Sequence, residues 1–496
     1  MSWWNNLPFF LIWVPMLLSG MTAVLRPKWS LHVALAAPLA GVAASCVLLI
    51  GCLRAGGSFL YPLGQFGAPM GNELRAGPVE ALLALVFCLI LYLSVLGGYK
   101  RIIAQVAEQR RSLYAVMVLL LQAGLMAEVF TNDVFTAYVF IEIMTIAAGA
   151  LIVARNGGRA LFAATRYMIM NLLGSGLFLL GISVLYCLTG ELLMEDVHEK
   201  LMALHAAGAY ERPILLAVVL ITAGLAVKSA LYPFHTWLPD AYASATPSSS
   251  AMLSSLVSKA YIFLYIKMVL RVFGLEIFDE THILTVLEVF SCIGILLGSI
   301  DAVLEKRLRR MVAYSSVAQI GYIYLGLSLG TQAGIAAALF HMIAHALAKA
   351  LLFLSGDRLV GASDGDATFH ALRGSGYRAP LNGAAFTVGA CSIVGIPLLG
   401  GFASKLYLAQ ACMGLAPANA AIALIVLALS TGLNATYFLT TVVTIYQKPE
   451  REYEARLNHP WTSTAALAAF ALLLVALGFF AQPVMAVIER GVSLLI

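Results

Sequence analysis

Residues 213–271 read PILLAVVLITAGLAVKSALYPFHTWLPDAYASATPSSSAMLSSLVSKAYIFLYIKMVLR. An apolar stretch from Pro213 reaches Lys228 and is then interrupted by Pro233 and Pro239; a second starts near Pro247 and reaches Lys259. At about 1.5 Å rise per residue, each lysine lies roughly 18–22 Å into its helix. In a hydrocarbon core of about 30 Å that is the middle, not the rim. A lysine there costs about 2.5–3.5 kcal/mol, so each needs a partner, water or a task. Broken backbone at that depth is tolerated only inside protein or beside a water-filled cavity.

The same apolar character runs through all 496 residues: 61% are hydrophobic, 11% charged, and the mean hydropathy is +0.90. Apolar runs of membrane-crossing length recur throughout, which predicts an all-α, polytopic membrane protein. Fourteen candidate spans fall near 7–25, 31–53, 78–98, 113–131, 133–154, 161–189, 213–232, 247–272, 283–303, 311–330, 334–355, 381–410, 417–445 and 461–489. The loops between them leave no room for a soluble catalytic domain. The leader MSWWNNLP carries no positive side chain, so span 1 is expected to stay in the chain. Seven cysteines sit in or beside apolar runs without CxxC pairing, and read as small apolar side chains rather than metal ligands. The net charge of +5 reflects orientation in a membrane, not nucleic-acid binding.

Lys and Arg, counted loop by loop, set that orientation. With the N-terminus outside, the inside loops hold 18 of the 30 basic residues, Arg451 and Arg456 among them, and the outside loops hold 6. The other 6 (Arg166, Lys228, Lys259, Lys267, Lys349 and Lys405) fall within spans. Both termini are therefore expected on the outer side of the cell membrane.

Charges inside spans are the candidate functional groups. Glu142 lies mid-span in span 5 and is expected to bind protons and pair with Lys228. Arg166 and Lys267 lie near span ends, where snorkelling to the headgroups explains them. In span 11, His341, His345 and Lys349 recur every four residues and form one stripe. Imidazole titrates near neutral pH and suits a relay. A zinc pair is the alternative, but no carboxylate lies between the two histidines and no third ligand is apparent. Span 12 is interrupted at GIPLLGG, including Pro397, before reaching Lys405. Spans 7 and 12 are thus both broken and both carry a lysine. Five spans apart, they run in opposite directions, which predicts two inverted halves, spans 4–8 and 9–13. The expected division is 1–112, 113–274, 275–445 and 446–496.

The stretches YVFIEIMTIAAGAL around Glu142, AGLAVKSALYPFHTWLPDAYASATPSSSAML around Lys228, HMIAHALAKALLFLSG and GIPLLGGFASK resemble the antiporter-like subunits of respiratory complex I. The same stretches are similar to relatives of those subunits in Mrp cation/proton antiporters and energy-converting membrane-bound hydrogenases. Lys405 is closer to the Mrp D-type and hydrogenase-type members than to members with Glu there. The resemblance implies fourteen transmembrane helices with helices 7 and 12 broken. It also implies a Glu142–Lys228 pair, a bridge at Lys259, a relay at His341, His345 and Lys349, and a terminal site at Lys405.

The expected function is proton translocation by one subunit of a multisubunit complex, with no cofactor and no catalytic site in this chain. Its expected partners are other membrane subunits, a peripheral redox arm and the lipid bilayer. The alternatives are a subunit of a Mrp-type Na+/H+ antiporter without redox function, and an ancillary membrane subunit.

Overall fold

The computed structural model describes residues 3–63, 71–155, 157–449 and 460–495. Arg451 and Arg456, counted among the inside charges, lie outside the described residues. The protein is an all-α, polytopic membrane protein. Eleven of the described helical segments are long and apolar enough to cross a membrane. Spans 8, 10 and 12 of the sequence reading are helical too, but each is divided, shorter or less apolar.

That lower apolarity follows from position. Every residue of span 8 from Pro247 to Phe273 is buried, as is every residue of span 11 from Gly334 to Val360. Span 10, Leu308–Ser328, packs against spans 9 and 11 and is buried almost throughout. These helices see protein on all sides, so they can carry polar groups. Spans 2, 6, 9 and 13 leave large apolar side chains such as Val47, Leu172, Val289 and Ile425 exposed, as the rim of a bundle in lipid requires.

Helix starts follow their capping chemistry. Asp133 accepts from the Thr136 amide at 2.5 Å, Thr246 from that of Ser249 at 3.2 Å, and Thr331 from that of Gly334 at 3.1 Å. Pro27, Pro78, Pro247, Pro380 and Pro417 open helices, where a missing N–H costs nothing.

Both expected breaks are present. Span 7 runs as Glu211–Ser229, stops at Ala230 with φ 63°, and resumes through a short 3-10 turn into Leu238–Ser244. Pro233 lies in the gap and Pro239 in the first turn of the resumed helix. Span 12 runs as Pro380–Val394, turns through Gly395 at φ 91°, Pro397 and Leu398 at φ 75°, and resumes as Gly400–Cys412. The halves of span 12 nearly touch: a Cβ on Gly401 would lie 1.7 Å from the Ser392 carbonyl oxygen.

Three features differ from the sequence reading. The expected span 14 is two helices, Trp461–Phe479 and Ala481–Ser493, because the second is strongly one-sided and lays its apolar face, including Met485 and Ile488, on the bundle. The connection between spans 2 and 3 forms a hairpin, β1 (Phe59–Pro62) against β2 (Glu73–Ala76). The acidic connection between spans 6 and 7 forms the helix Met194–Ala206.

Gly401→Ala is expected to lower stability by about 1–3 kcal/mol through overpacking of the second break. Gly176→Ala, where the added carbon meets nothing within 4 Å, should leave stability near wild type. Thermal unfolding of the detergent-purified protein compares the two.

Candidate functional site

Glu142 and Lys228 meet. The Lys228 ammonium, with no exposure, lies 3.6 Å from the Glu142 carboxylate, whose side chain is 23% exposed. Ser175 donates to the same carboxylate. Lys228 also donates to the Thr145 hydroxyl at 2.8 Å and lies 5.1 Å over the Tyr261 ring. Lys228 occupies the last turn of the first half of span 7, where the helix dipole presents its negative end to an ammonium. Close packing holds it there. A Cβ on Gly174 of span 6 would lie 2.8 Å from the Gly224 carbonyl and 3.0 Å from Lys228 Cγ, so the two helices meet through glycine.

Lys405 occupies the matching place at the second break. Its ammonium donates to the carbonyl of Val394, the last residue of the first half-helix, at 3.1 Å, and to the Thr431 hydroxyl at 3.2 Å. The geometry differs from span 7 in one respect: Lys228 precedes its break and Lys405 follows its own. Both ammonium groups still sit at the carbonyl end of a half-helix.

Between them lie Lys259 and the span 11 stripe. Span 8 opens into a π-helical turn at Leu253–Val257, and the buried Lys259 donates to the Ser254 carbonyl within it. His341 and His345 stack with ring centroids 6.2 Å apart. His341 Nδ1 lies 2.9 Å from the Ser404 hydroxyl, one residue before Lys405, and its ring stacks on Tyr322, over which the Lys405 ammonium lies at 5.3 Å. Lys349 turns to span 10, donating to the Val312 carbonyl at 2.7 Å and to the Ser315 hydroxyl. His341, His345 and Lys405 line one tight crevice, a cavity too narrow for a water molecule, together with Gln319, Ser392 and Ser404 among others. The Gln319 amide, His341 Nε2 and both His345 ring nitrogens are buried there with no hydrogen-bond partner among the described residues.

The seven expected groups therefore fall into two sets. Glu142 and Lys228 are in contact, and His341, His345 and Lys405 line one cavity with Lys259 and Lys349 nearby. Among the described residues no hydrogen bond or ion pair joins Lys228 to Lys259. No cysteine or carboxylate completes a metal set around His341 and His345 among the described residues.

Of the two expectations for span-end charges, that for Lys267 is corrected, while Arg166 keeps 40% of its side chain exposed. Lys267 does not snorkel: it is 1% exposed and donates to the carbonyls of Val129, at 3.3 Å, and of Thr131. Arg166 pairs with Asp240 at 2.9 Å, and Arg310 holds the other oxygen of the same carboxylate at 2.5 Å. Asp240 lies beside a basic cavity of about 630 Å³ lined by Arg155, Arg159, Arg307, Arg309 and Arg310. The sequence reading also passed over Ser175, Thr145, Gln319 and Ser404. Uncharged hydroxyls and amides are common in spans and give no signal until packing aims them at a charge.

The family profile described as "NADH:quinone oxidoreductase/Mrp antiporter, TM" matches residues 131–433, more than half the chain and all seven groups. The chain belongs to this family. It is similar to NADH-quinone oxidoreductase subunit N of Desulforudis audaxviator (strain MP104C), 35% identical over 92% of this chain and 89% of that one. It is similar also to the D-type subunit of the Na(+)/H(+) antiporter of Bacillus subtilis (strain 168), 30% identical over 70% of this chain and 68% of that one. Among solved structures it resembles a chain of the membrane-bound sulfane sulfur reductase, an archaeal respiratory membrane complex. There the TM-score is 0.88 at 26% identity, covering 99% of this chain and 98% of that one. The broken helices of this family member thus lie in a fold shared along its whole described length.

If Glu142 acts as a titrating carboxylate, Glu142→Asp should retain part of wild-type ion transport and Glu142→Gln less than about a tenth. A loss of that size in rate corresponds to about 1.4 kcal/mol in barrier. Equal rates for Gln and Glu in reconstituted vesicles would show that the site needs only a hydrogen bond.

Proposed function

We propose that this chain is a proton-translocating subunit of a multisubunit membrane complex, relaying protons at mid-membrane depth through Glu142, Lys228, Lys259, His341, His345, Lys349 and Lys405. The observation that carries the reading is the Glu142–Lys228 pair: an ammonium with no exposure, 3.6 Å from a carboxylate, at a break in its own helix. While the pair is closed, the charged lysine is favoured; when it opens, the buried ammonium loses that support and can release its proton. Separating unit charges from about 4 Å at an effective dielectric near 20 changes the energy by up to ~4 kcal/mol. Moving one charge through 100 mV takes about 2.3 kcal/mol. One opening of the pair is therefore on the scale needed to drive one proton.

The cavity holding His341, His345, Gln319 and Lys405 supports the second part of the row. We read the chain as fourteen spans in the cytoplasmic membrane with both termini outside, and as two inverted halves, 113–274 and 275–445, between 1–112 and 446–496. Other membrane subunits and a peripheral redox arm are its proposed partners, and any redox chemistry is theirs. The second reading, a Mrp-type antiporter subunit without a redox partner, is favoured by the similarity to the Na(+)/H(+) antiporter relative of Bacillus subtilis.

Lys228→Ala in the assembled complex is expected to abolish proton transport into vesicles while leaving the complex intact by size. An assembled complex that still pumps at the wild-type rate would overturn the pair assignment. Transport that an imposed sodium gradient drives, and that no electron donor stimulates, would favour the antiporter reading.

A further inference from the structure

The second break carries a hydroxyl with a defined direction. Ser404 lies near the start of the half-helix Gly400–Cys412 and is fully buried. Its oxygen takes part in two hydrogen bonds, one with the Gly401 carbonyl at 2.8 Å and one with His341 Nδ1 at 2.9 Å. A hydroxyl has one proton to give, and a carbonyl can only accept. Ser404 therefore donates to Gly401, since otherwise two oxygens would face each other at 2.8 Å with no proton between them. The bond with His341 then runs the other way: Nδ1 carries a proton and donates it to a lone pair of the Ser404 oxygen.

A neutral imidazole with its proton on Nδ1 has a bare lone pair on Nε2. In His341 that atom is buried and has no hydrogen-bond partner among the described residues. The ring is also held in its plane. It stacks on Tyr322 at 5.3 Å with 23° between the planes, and on His345 at 6.2 Å with 14°. Stacking fixes the plane, and Ser404 fixes which nitrogen lies on which edge. His345 has no such guide, because neither of its ring nitrogens has a partner among the described residues. The two histidines of the stripe are thus unlike: the tautomer of one is set and that of the other is open.

We propose that Ser404 is a positioning residue that holds His341 in its Nδ1–H form, so that Nε2 is the one atom at which His341 takes up and releases a proton. The step is a transfer of one proton. An N–H bond breaks on a neighbouring cation, either the His345 imidazolium or the Lys405 ammonium, which lies 5.3 Å over the same Tyr322 ring. An N–H bond forms at His341 Nε2, the donor is left neutral, and His341 becomes an imidazolium. The bond to Ser404 survives the step and becomes charge-assisted. The proton on Nδ1 has no onward route, because the Gly401 carbonyl beyond Ser404 can only accept a hydrogen bond. His341 therefore stores a proton and returns it through one atom, whereas His345 is free to accept at one nitrogen and release from the other. This inference rests on the proposed proton function and assigns, within the row, the atom that does the work at His341.

The test is nitrogen NMR of the assembled complex carrying isotope-labelled histidine, with the His341 signals identified by their loss in His341→Gln. The wild type is expected to show the Nδ1–H tautomer at His341. Ser404→Ala should lose that preference, and Ser404→Thr, which keeps a hydroxyl, should retain it. Proton transport into vesicles should slow several-fold in Ser404→Ala and stay near wild type in Ser404→Thr. A side chain that only filled space would alter transport without moving the tautomer. An Nε2–H signal for His341 in the wild type, or an Nδ1–H signal unchanged in Ser404→Ala, would overturn the proposal, as would wild-type transport in Ser404→Ala with the preference lost. If Ser404→Ala does not assemble, the wild-type spectrum and that of Ser404→Thr carry the test. If Glu142→Gln and Lys228→Ala both transport at the wild-type rate, the proton reading itself has failed, and the spectra still decide the tautomer.

Discussion

A buried ammonium must be solvated by something, and in this chain backbone carbonyl oxygen does most of it. Lys259 is held by the Ser254 carbonyl, Lys267 by the end of span 4, Lys349 by Val312 and Lys405 by Val394. Among the described residues only Lys228 of these buried lysines has a carboxylate within ion-pair distance. A carbonyl in a helix interior is already engaged by its own ladder, so free carbonyls have to be made. The break in span 12, the π-helical turn in span 8 and the end of span 4 make them for Lys405, Lys259 and Lys267, while Val312, in the unbroken helix of span 10, shares its carbonyl with Lys349. For Lys259, Lys267 and Lys405 the interruptions of the helices and the buried charges are one constraint, seen from the backbone and from the side chains.

This division gives the lysines different characters. A dipole solvates an ammonium without neutralising it, so a carbonyl-held lysine loses only part of its stabilisation when its proton leaves. A lysine facing a carboxylate loses a full Coulombic partner if that partner moves away. On the proposed reading Lys259, Lys349 and Lys405 carry the proton onward, and Glu142–Lys228 is the place where moving one side chain changes the energy steeply.

How much of this was legible in the sequence follows from the same energetics. Lys228, Lys259, Lys349 and Lys405 stood out because an apolar window with a charge at its middle has few innocent explanations. Pro233, Pro239, Pro397 and the GIPLLGG run marked the breaks because they cannot continue a helix. Lys267 was not legible, because a charge near the end of a span has a cheap explanation in snorkelling. What buries it lies in segments of weak sequence signal. The Asn132 amide donates to the Glu73 carbonyl of β2, and the Asn132 carbonyl accepts from the amide of Met194, which opens the helix Met194–Ala206. A four-residue strand and a thirteen-residue helix, read as loops, extend the protein interior past the end of span 4 and turn a membrane rim into a core. The split of span 14 was hidden likewise, since residues 461–489 are continuously apolar enough to read as one helix.

The gap between Lys228 and Lys259 now has a physical meaning. In the proposed relay, a pair joined by an unbroken hydrogen-bonded wire to the second half would equilibrate with it at all times, and opening Glu142–Lys228 would store nothing. The first-half pair instead has its own hydroxyl connections, through Thr145 and Tyr261, while the second-half groups share a separate cavity. Tyr324 of span 10 links to the first break through the Ser229 hydroxyl at 2.7 Å, so a shift of that break is felt in the helix that also carries Gln319 and solvates Lys349. Movement at the first break thus has a mechanical route to the second set of groups even where no proton route is closed. A pump needs its two sides never to be open together. Two sets of groups with no standing hydrogen-bonded wire between them, joined by a shared helix, provide for that in the proposed relay in a way a continuous wire does not.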